Sequence, residues 1–262
     1  MRSWLNFALA QAPGIYARLT RCRRQVNCEK LAFLALVRRG DVVFDVGANH
    51  GYYTVLFSHL AGSSGRVHAF EPVPPTFELL AANVKRECRF DNVVLNQCAL
   101  AAADGELPLF VPQPDLAQAS IARQSAWPAS QEVRTYSCRA TTVDAYLGSR
   151  GEPPPAFVKC DVEGAELRVL AGAAATLRQR PPLLHLEVNA DWTRTLGYEP
   201  PELVRFLAGF GYARFLLVDE RIRVLDDPQR DLSLLQGTAN LICAVPAAHD
   251  ARLRRLLGGA AP

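Results

Sequence analysis

No two cysteines in this 262-residue chain are spaced as a C-x-x-C pair. Seven are present, at positions 22, 28, 88, 98, 138, 160 and 243. A scattered, odd-numbered set argues against a zinc site or a disulfide framework and points to a reducing cytoplasm. Lysine is scarce as well. Lys30, Lys85 and Lys159 stand among 29 basic residues, so arginine supplies the positive charge. The net charge is only +3, too little to argue for a surface that tracks nucleic-acid phosphates. A basic patch interleaved with aromatics is also missing. So is a membrane-spanning run. The opening segment, MRSWLNFALAQAPGIYARLTRCRRQ, is broken by Pro13 and Gly14, and it has neither a span of about 20 apolar residues nor a leader of signal-peptide type. Arg18, Arg21, Arg23 and Arg24 leave room for a weak membrane-surface contact. The plainer expectation is a helical cap or extension over residues 1–39. No internal repeat or long low-complexity stretch is present.

What remains is an ordinary globular composition, 49% hydrophobic and 21% charged, in a chain long enough to bury its own core. From Asp41 onward, strand-like and helix-like runs alternate. Short β-rich runs read DVVFDVG, RVHAFEP, NVVLNQCAL, AFVKCDVEG, PLLHLEVN, YARFLLVD and TANLICAV. Between them lie amphipathic runs, such as PPTFELLAANVKRE with Phe77, Leu80, Ala81 and Val84 on one face. AELRVLAGAAATLRQR reads as one helix. GELPLFVP reads as a strand or hairpin arm, and residues 112–132 as a long loop of the kind that serves as a lid. Alternation of this type predicts an α/β domain with a mainly parallel sheet. The expected bounds are 40–248, with 249–262 as a tail. No helix-like run is visible between Asp219 and Thr238, so the last two strands are expected to form an antiparallel hairpin.

Ligands of such sheets bind beyond the carboxyl ends of the strands. Four of those ends carry acids: Asp45, Glu71, Asp161 with Glu163, and Glu187. Gathering them is costly unless a ligand pairs with them. The first end reads Gly47-Ala-Asn49-His-Gly51. It lacks the middle glycine that lets a pyrophosphate approach the backbone in a dinucleotide turn. Asp45 adds negative charge, which suits a cationic ligand. Glu71 follows Gly47 by 24 residues, near the spacing at which an acid accepts both ribose hydroxyls of an adenosine. A ribose without a pyrophosphate, beside a cation, describes S-adenosylmethionine. Gly47, Asn49, Gly51, Glu71 and Pro72 are the candidate cofactor residues, with Asp45 facing the cofactor's charge.

The segments DVVFDVGANHGYYT, VHAFEPVPPTFELLAANV, FVKCDVEGAELRVLAGA and PLLHLEVN together resemble the FkbM family of S-adenosylmethionine-dependent methyltransferases. KCDVEGAE is the most specific of them. His50, where isoleucine is common, and Val73-Pro74-Pro75 after Glu71-Pro72 depart from the family pattern. The resemblance implies a Rossmann-like class I methyltransferase fold: a seven-stranded, mainly parallel sheet with an antiparallel last strand and helices on both faces. It also implies O-methylation of a sugar, glycan or natural-product hydroxyl. By analogy with that class, Ala99 reads the adenine, and Ser120-Ile121 closes over it.

Methyl transfer from a sulfonium depends on holding the nucleophile in line, and an alcohol also needs a base. Asp161 is the first candidate, as base or as partner of the cofactor's amine, with Glu163 second. Lys159 lies two residues before Asp161 and is a third candidate, although a plain salt bridge explains it equally well. Glu187 is expected at the acceptor hydroxyl or as a cap for the next helix. Asp161, Glu187 and Asn189 would also make an all-oxygen Mg²⁺ set, though a resident metal is not the favoured reading. The acceptor pocket is expected from residues 1–39, 112–132 and 192–198. Rival readings are an RNA methyltransferase, a nicotinamide-dependent or flavin-dependent oxidoreductase, and a cofactor-binding protein without turnover.

Overall fold

A computed structural model describes residues 27–257, Asp115 apart. The described chain begins with a helix, Cys28–Leu36, capped by the Asn27 side chain on the Lys30 amide. Strands β1 (Val42–Val46), β2 (Arg66–Phe70) and β3 (Val93–Asn96) follow, with helices Tyr52–Ala61 and Pro74–Glu87 between them. Next come β4 (Ala99–Leu100), β5 (Gly105–Pro112) and β6 (Val133–Thr141). The second half holds β7 (Phe157–Cys160), β8 (Leu183–Asn189), β9 (Arg214–Val218), β10 (Ile222–Val224) and β11 (Thr238–Ala244).

The main sheet runs β3-β2-β1-β7-β8-β11-β9-β10. Strands β1, β2, β3, β7 and β8 pair in parallel, and β11 runs antiparallel to both β8 and β9. This is the expected mainly parallel sheet with an antiparallel last strand. Ile222–Val224 joins β9 at the edge as an eighth strand. Strands β9 and β11 are antiparallel neighbours but not a hairpin, because β10 and a helix, Pro228–Ser233, intervene. That helix is too short to show periodicity, and its start is set by the Asp227 side chain on the Arg230 amide.

Two runs break where one element was expected. NVVLNQCAL divides at Gln97-Cys98, because β4 leaves the main sheet to pair with β6 in a three-stranded sheet ordered β4-β6-β5. AELRVLAGAAATLRQR divides into helices Glu166–Ala171 and Ala174–Gln179. Gly172 sits at the break, where a Cβ would lie 2.0 Å from the Ala101 carbonyl oxygen.

Hydrophobic clusters cover both faces of the main sheet, and strand alternation decides which residue faces which. Along β1, Phe44 and Val46 enter the cluster that holds Phe70, Leu186 and Leu203, while Val43 enters the one that holds Phe33, Phe57 and Phe157. The helix Cys28–Leu36 packs into the second cluster, as does Leu253 of the last helix, Pro246–Leu256. No helix among the described residues is long and apolar enough to cross a membrane.

Candidate active site

The carboxyl ends of β1, β2, β7 and β8 open into one cavity of about 820 Å³, counted out to its mouth. Gly47, Asn49, Glu71, Pro72, Ala99, Asp161, Glu163 and Glu187 line it. Those eight expected residues are therefore brought together from distant segments. Asp45, Gly51 and Lys159 do not line it.

The turn after β1 shows why glycine is required at position 47. Gly47 has φ +76°, and a Cβ there would lie 1.8 Å from the Asp161 carbonyl oxygen. The turns after β1 and β7 thus touch backbone to backbone. Gly51 also has positive φ, but it serves packing, since its Cβ would meet the Leu80 side chain at 2.6 Å. Asn49 takes φ +49°, and its amide donates to Glu71 Oε2 at 2.9 Å. Glu71 Oε1 accepts from the Val73 amide at 2.9 Å. Burial pushes the Glu71 carboxyl up to about 7, against the pull of those two amides. Asn49 Oδ1 is buried without a hydrogen-bond partner. The facing wall is apolar: Leu100, Leu109, Leu116, Ala119 and Ile121.

Asp161, Glu163 and Glu187 form the acidic end, with carboxylate oxygens within 4.8 Å of one another. Lys159 Nζ donates to Asp161 Oδ2 at 2.9 Å. Burial works to raise the Asp161 pKa, but the Lys159 ammonium and a hydrogen bond from Glu187 bring it below the usual carboxylate range. Glu187 goes the other way. Burial, and then its bond to ionised Asp161, push it up to about 9. The two shifts run in opposite directions, so a proton shared by the pair favours Glu187 over Asp161. The set of oxygens is of a type that suits Mg²⁺, but its third member is Glu163 rather than Asn189. Asn189 Oδ1 instead accepts from the Asp191 and Trp192 amides and caps the helix Ala190–Thr195.

Asp45, Lys159 and His185 lie side by side across β1, β7 and β8, in register. They share the sheet face that turns toward the helices Cys28–Leu36 and Tyr52–Ala61. Alternation therefore places them under the site rather than in it. Asp45 is 0% exposed, and its Oδ2 accepts from Thr54 at 2.5 Å. Burial raises its pKa, with Lys159 opposing. Lys159 is 3% exposed. Burial alone would lower its pKa, but Asp161 and Asp45 reverse that and raise it. His185 lies 3.5 Å from Glu29, yet burial lowers it to about 3. It is neutral there, with neither ring nitrogen hydrogen-bonded. His50 is exposed outside the cavity, and His68 is buried against the Tyr146 hydroxyl at 2.7 Å.

Sequence reasoning missed Glu166. It is 1% exposed, and its Oε1 accepts from the amides of Val162 and Gly164. Tyr198 donates its hydroxyl to the Gly164 carbonyl at 2.8 Å. An acid two residues after a glycine was the available signal. The apolar wall had none, because single leucines in loops are unremarkable. Of the segments expected to form an acceptor pocket, 1–26 lies outside the described residues.

Similarity to known proteins agrees with this geometry. The profile of the "Methyltransferase FkbM domain" matches residues 45–213. A "31-O-demethyl-FK506 methyltransferase FkbM" of Streptomyces tacrolimicus is 32% identical over 203 residues, which cover 67% of this chain and 74% of that protein. A "Hexuronic acid methyltransferase AglP" of Haloferax volcanii is 30% identical over 168 residues, covering 64% of this chain and 62% of that one. Among solved structures, an FkbM methyltransferase of Methylobacillus flagellatus KT aligns with TM-score 0.49 and 16% identity, over 77% of this chain and 43% of that chain. The oxidoreductase and RNA-methyltransferase readings gain no support from the two curated relatives. The chain belongs to the FkbM methyltransferase family and is an S-adenosylmethionine-dependent methyltransferase.

Proposed function

We propose that the chain moves the methyl group of S-adenosylmethionine to a hydroxyl of a sugar, glycan or natural product. The observation that carries this reading is the cavity itself. It has a carboxylate pinned by two backbone amides at one end, an apolar wall along its length and an acid–carboxylate pair at the other end. The relatives' names, one concerning a demethylated FK506 and the other a hexuronic acid, support an oxygen-rich acceptor.

The residues present fit the cofactor. Glu71 is fixed where both its oxygens keep a lone pair for ribose hydroxyls, and Asn49 offers a buried acceptor without a partner. Ala99 and the apolar wall suit the flat face of adenine. When bound, the cofactor supplies an electrophilic methyl on a sulfonium. The chain's own task is placement and proton transfer. Asp161, kept ionised by Lys159, takes the proton of the acceptor hydroxyl or pairs with the cofactor's amine; Glu163 is the second carboxylate in reach. Glu187 orients Asp161 through its proton. Lys159 acts through Asp161 and touches no ligand. Gly47 keeps the two turns close enough to close the floor.

Calorimetry tests the cofactor part. The native protein is expected to bind S-adenosylmethionine and not NAD. Glu71→Ala is expected to weaken binding about 10- to 100-fold, the worth of a charge-assisted hydrogen-bond pair. Equal affinity of the two proteins, or a preference for NAD, would remove the reading.

A further inference from the structure

The segment between β5 and β6 does more than roof the cavity. Its residues Leu116, Ala117, Ala119 and Ile121 form part of the apolar wall. Ser120, in the middle of that run, is 1% exposed. It is held at four points. Its amide and carbonyl pair with those of Phe110 on β5, at 3.0 and 2.8 Å. Gln124 Nε2 donates to its hydroxyl oxygen at 2.7 Å. The hydroxyl in turn donates to the Glu163 carbonyl at 3.1 Å. Ser120 therefore ties the wall facing the adenine end to the turn that presents an acid at the other end.

That turn is unusual in its own right. Glu163 has φ +54°, a region that side-chain-bearing residues seldom occupy and that, where observed, directs attention to function. Gly164 follows at φ +93°, and a Cβ there would stand 2.9 Å from the Trp192 carbonyl. Glu166 and Tyr198 hold the turn from below, through the Val162 and Gly164 amides and the Gly164 carbonyl. Ser120 is the grip from above, and it lies within the 116–121 segment whose neighbouring residues Ala119 and Ile121 line the cavity.

We propose that Ser120 is a positioning residue: it couples cofactor binding against the 116–121 wall to the placement of the Glu163 carboxylate. The inference rests on the function proposed above. A ligand that orders the wall also orders the Glu163 turn, because one hydroxyl joins them. The converse holds by linkage.

Hydrogen exchange on the full chain tests this with S-adenosylmethionine as the probe, since the acceptor is not needed. In the native protein the cofactor is expected to slow exchange about tenfold in both 116–121 and 162–166. In Ser120→Ala it is expected to protect 116–121 and to leave 162–166 unchanged, with cofactor affinity within about threefold of native. Ser120→Thr, which keeps the hydroxyl, restores the joint protection. Tyr198→Phe loosens the turn from below and leaves Ser120 in place, so it keeps the coupling and tests it even where Ser120→Ala folds poorly. Joint protection that survives in Ser120→Ala, or a bound cofactor that never protects 162–166 in the native protein, overturns the proposal alone. Absence of cofactor binding by calorimetry overturns the function reading and this one with it.

Discussion

Glu187→Gln separates a titrating acid from a plain hydrogen-bond donor. Burial and the bond to Asp161 push folded Glu187 up to about 9, whereas an unfolded glutamate titrates near about 4.3. Its pKa is raised on folding, so the native state holds a proton that the unfolded chain releases. The stability linked to that proton is complete below about pH 4.3 and drains away as pH rises toward 9, by about 1.4 kcal/mol per unit. At pH 7 the unscreened loss is about 4 kcal/mol. Glu187 lines the open cavity, and screening by solvent leaves about 2 kcal/mol. Glutamine keeps a donor for Asp161 and cannot ionise. Thermal melts without cofactor are therefore expected to show the variant close to native at pH 4.5 and more stable at pH 7, by about 4–8 °C. The gap should be wider again at pH 8.5. A difference that stays constant with pH, or a variant less stable at pH 8.5, would show that the Asp161–Glu187 pair does not share a proton in this way.

Three further changes test the support beneath the site. Lys159→Met leaves Asp161 and Asp45 without their cation and should cost about 3 kcal/mol, lowering the melting temperature by about 6–12 °C at pH 7; an unchanged melt would refute the buried ion pair. Gly47→Ala should destabilise by more than about 2 kcal/mol and abolish cofactor binding in calorimetry, because its Cβ meets backbone. Gly51→Ala should cost only about 1 kcal/mol in the same melts, since the end of the Leu80 side chain can shift; equal losses at the two glycines would contradict the contact geometry.

The site was legible where chemistry sits at a strand end. Glu71, Asp161, Glu163 and Glu187 each close a β-rich run, and all four line the cavity. Asp45 misled because it closes a run too, yet it lies one residue short of the turn, on the face that alternation sends under the helices. Lys159 and His185 share that fate, in register with it. The grip of Ser120 on Glu163 spans 43 positions, and no local pattern announces a contact of that range.

Alternating apolar periods, the glycine turn after β1 and the acids at four strand ends determined the α/β order and the cofactor. These are local properties, because strand and helix periods and turn conformations depend on neighbours along the chain. Tertiary structure alone decided which acid is charged, which holds a proton and which is buried beneath the site. Those outcomes follow from desolvation and from the distance to Lys159, and both are set only when β1, β7 and β8 lie side by side.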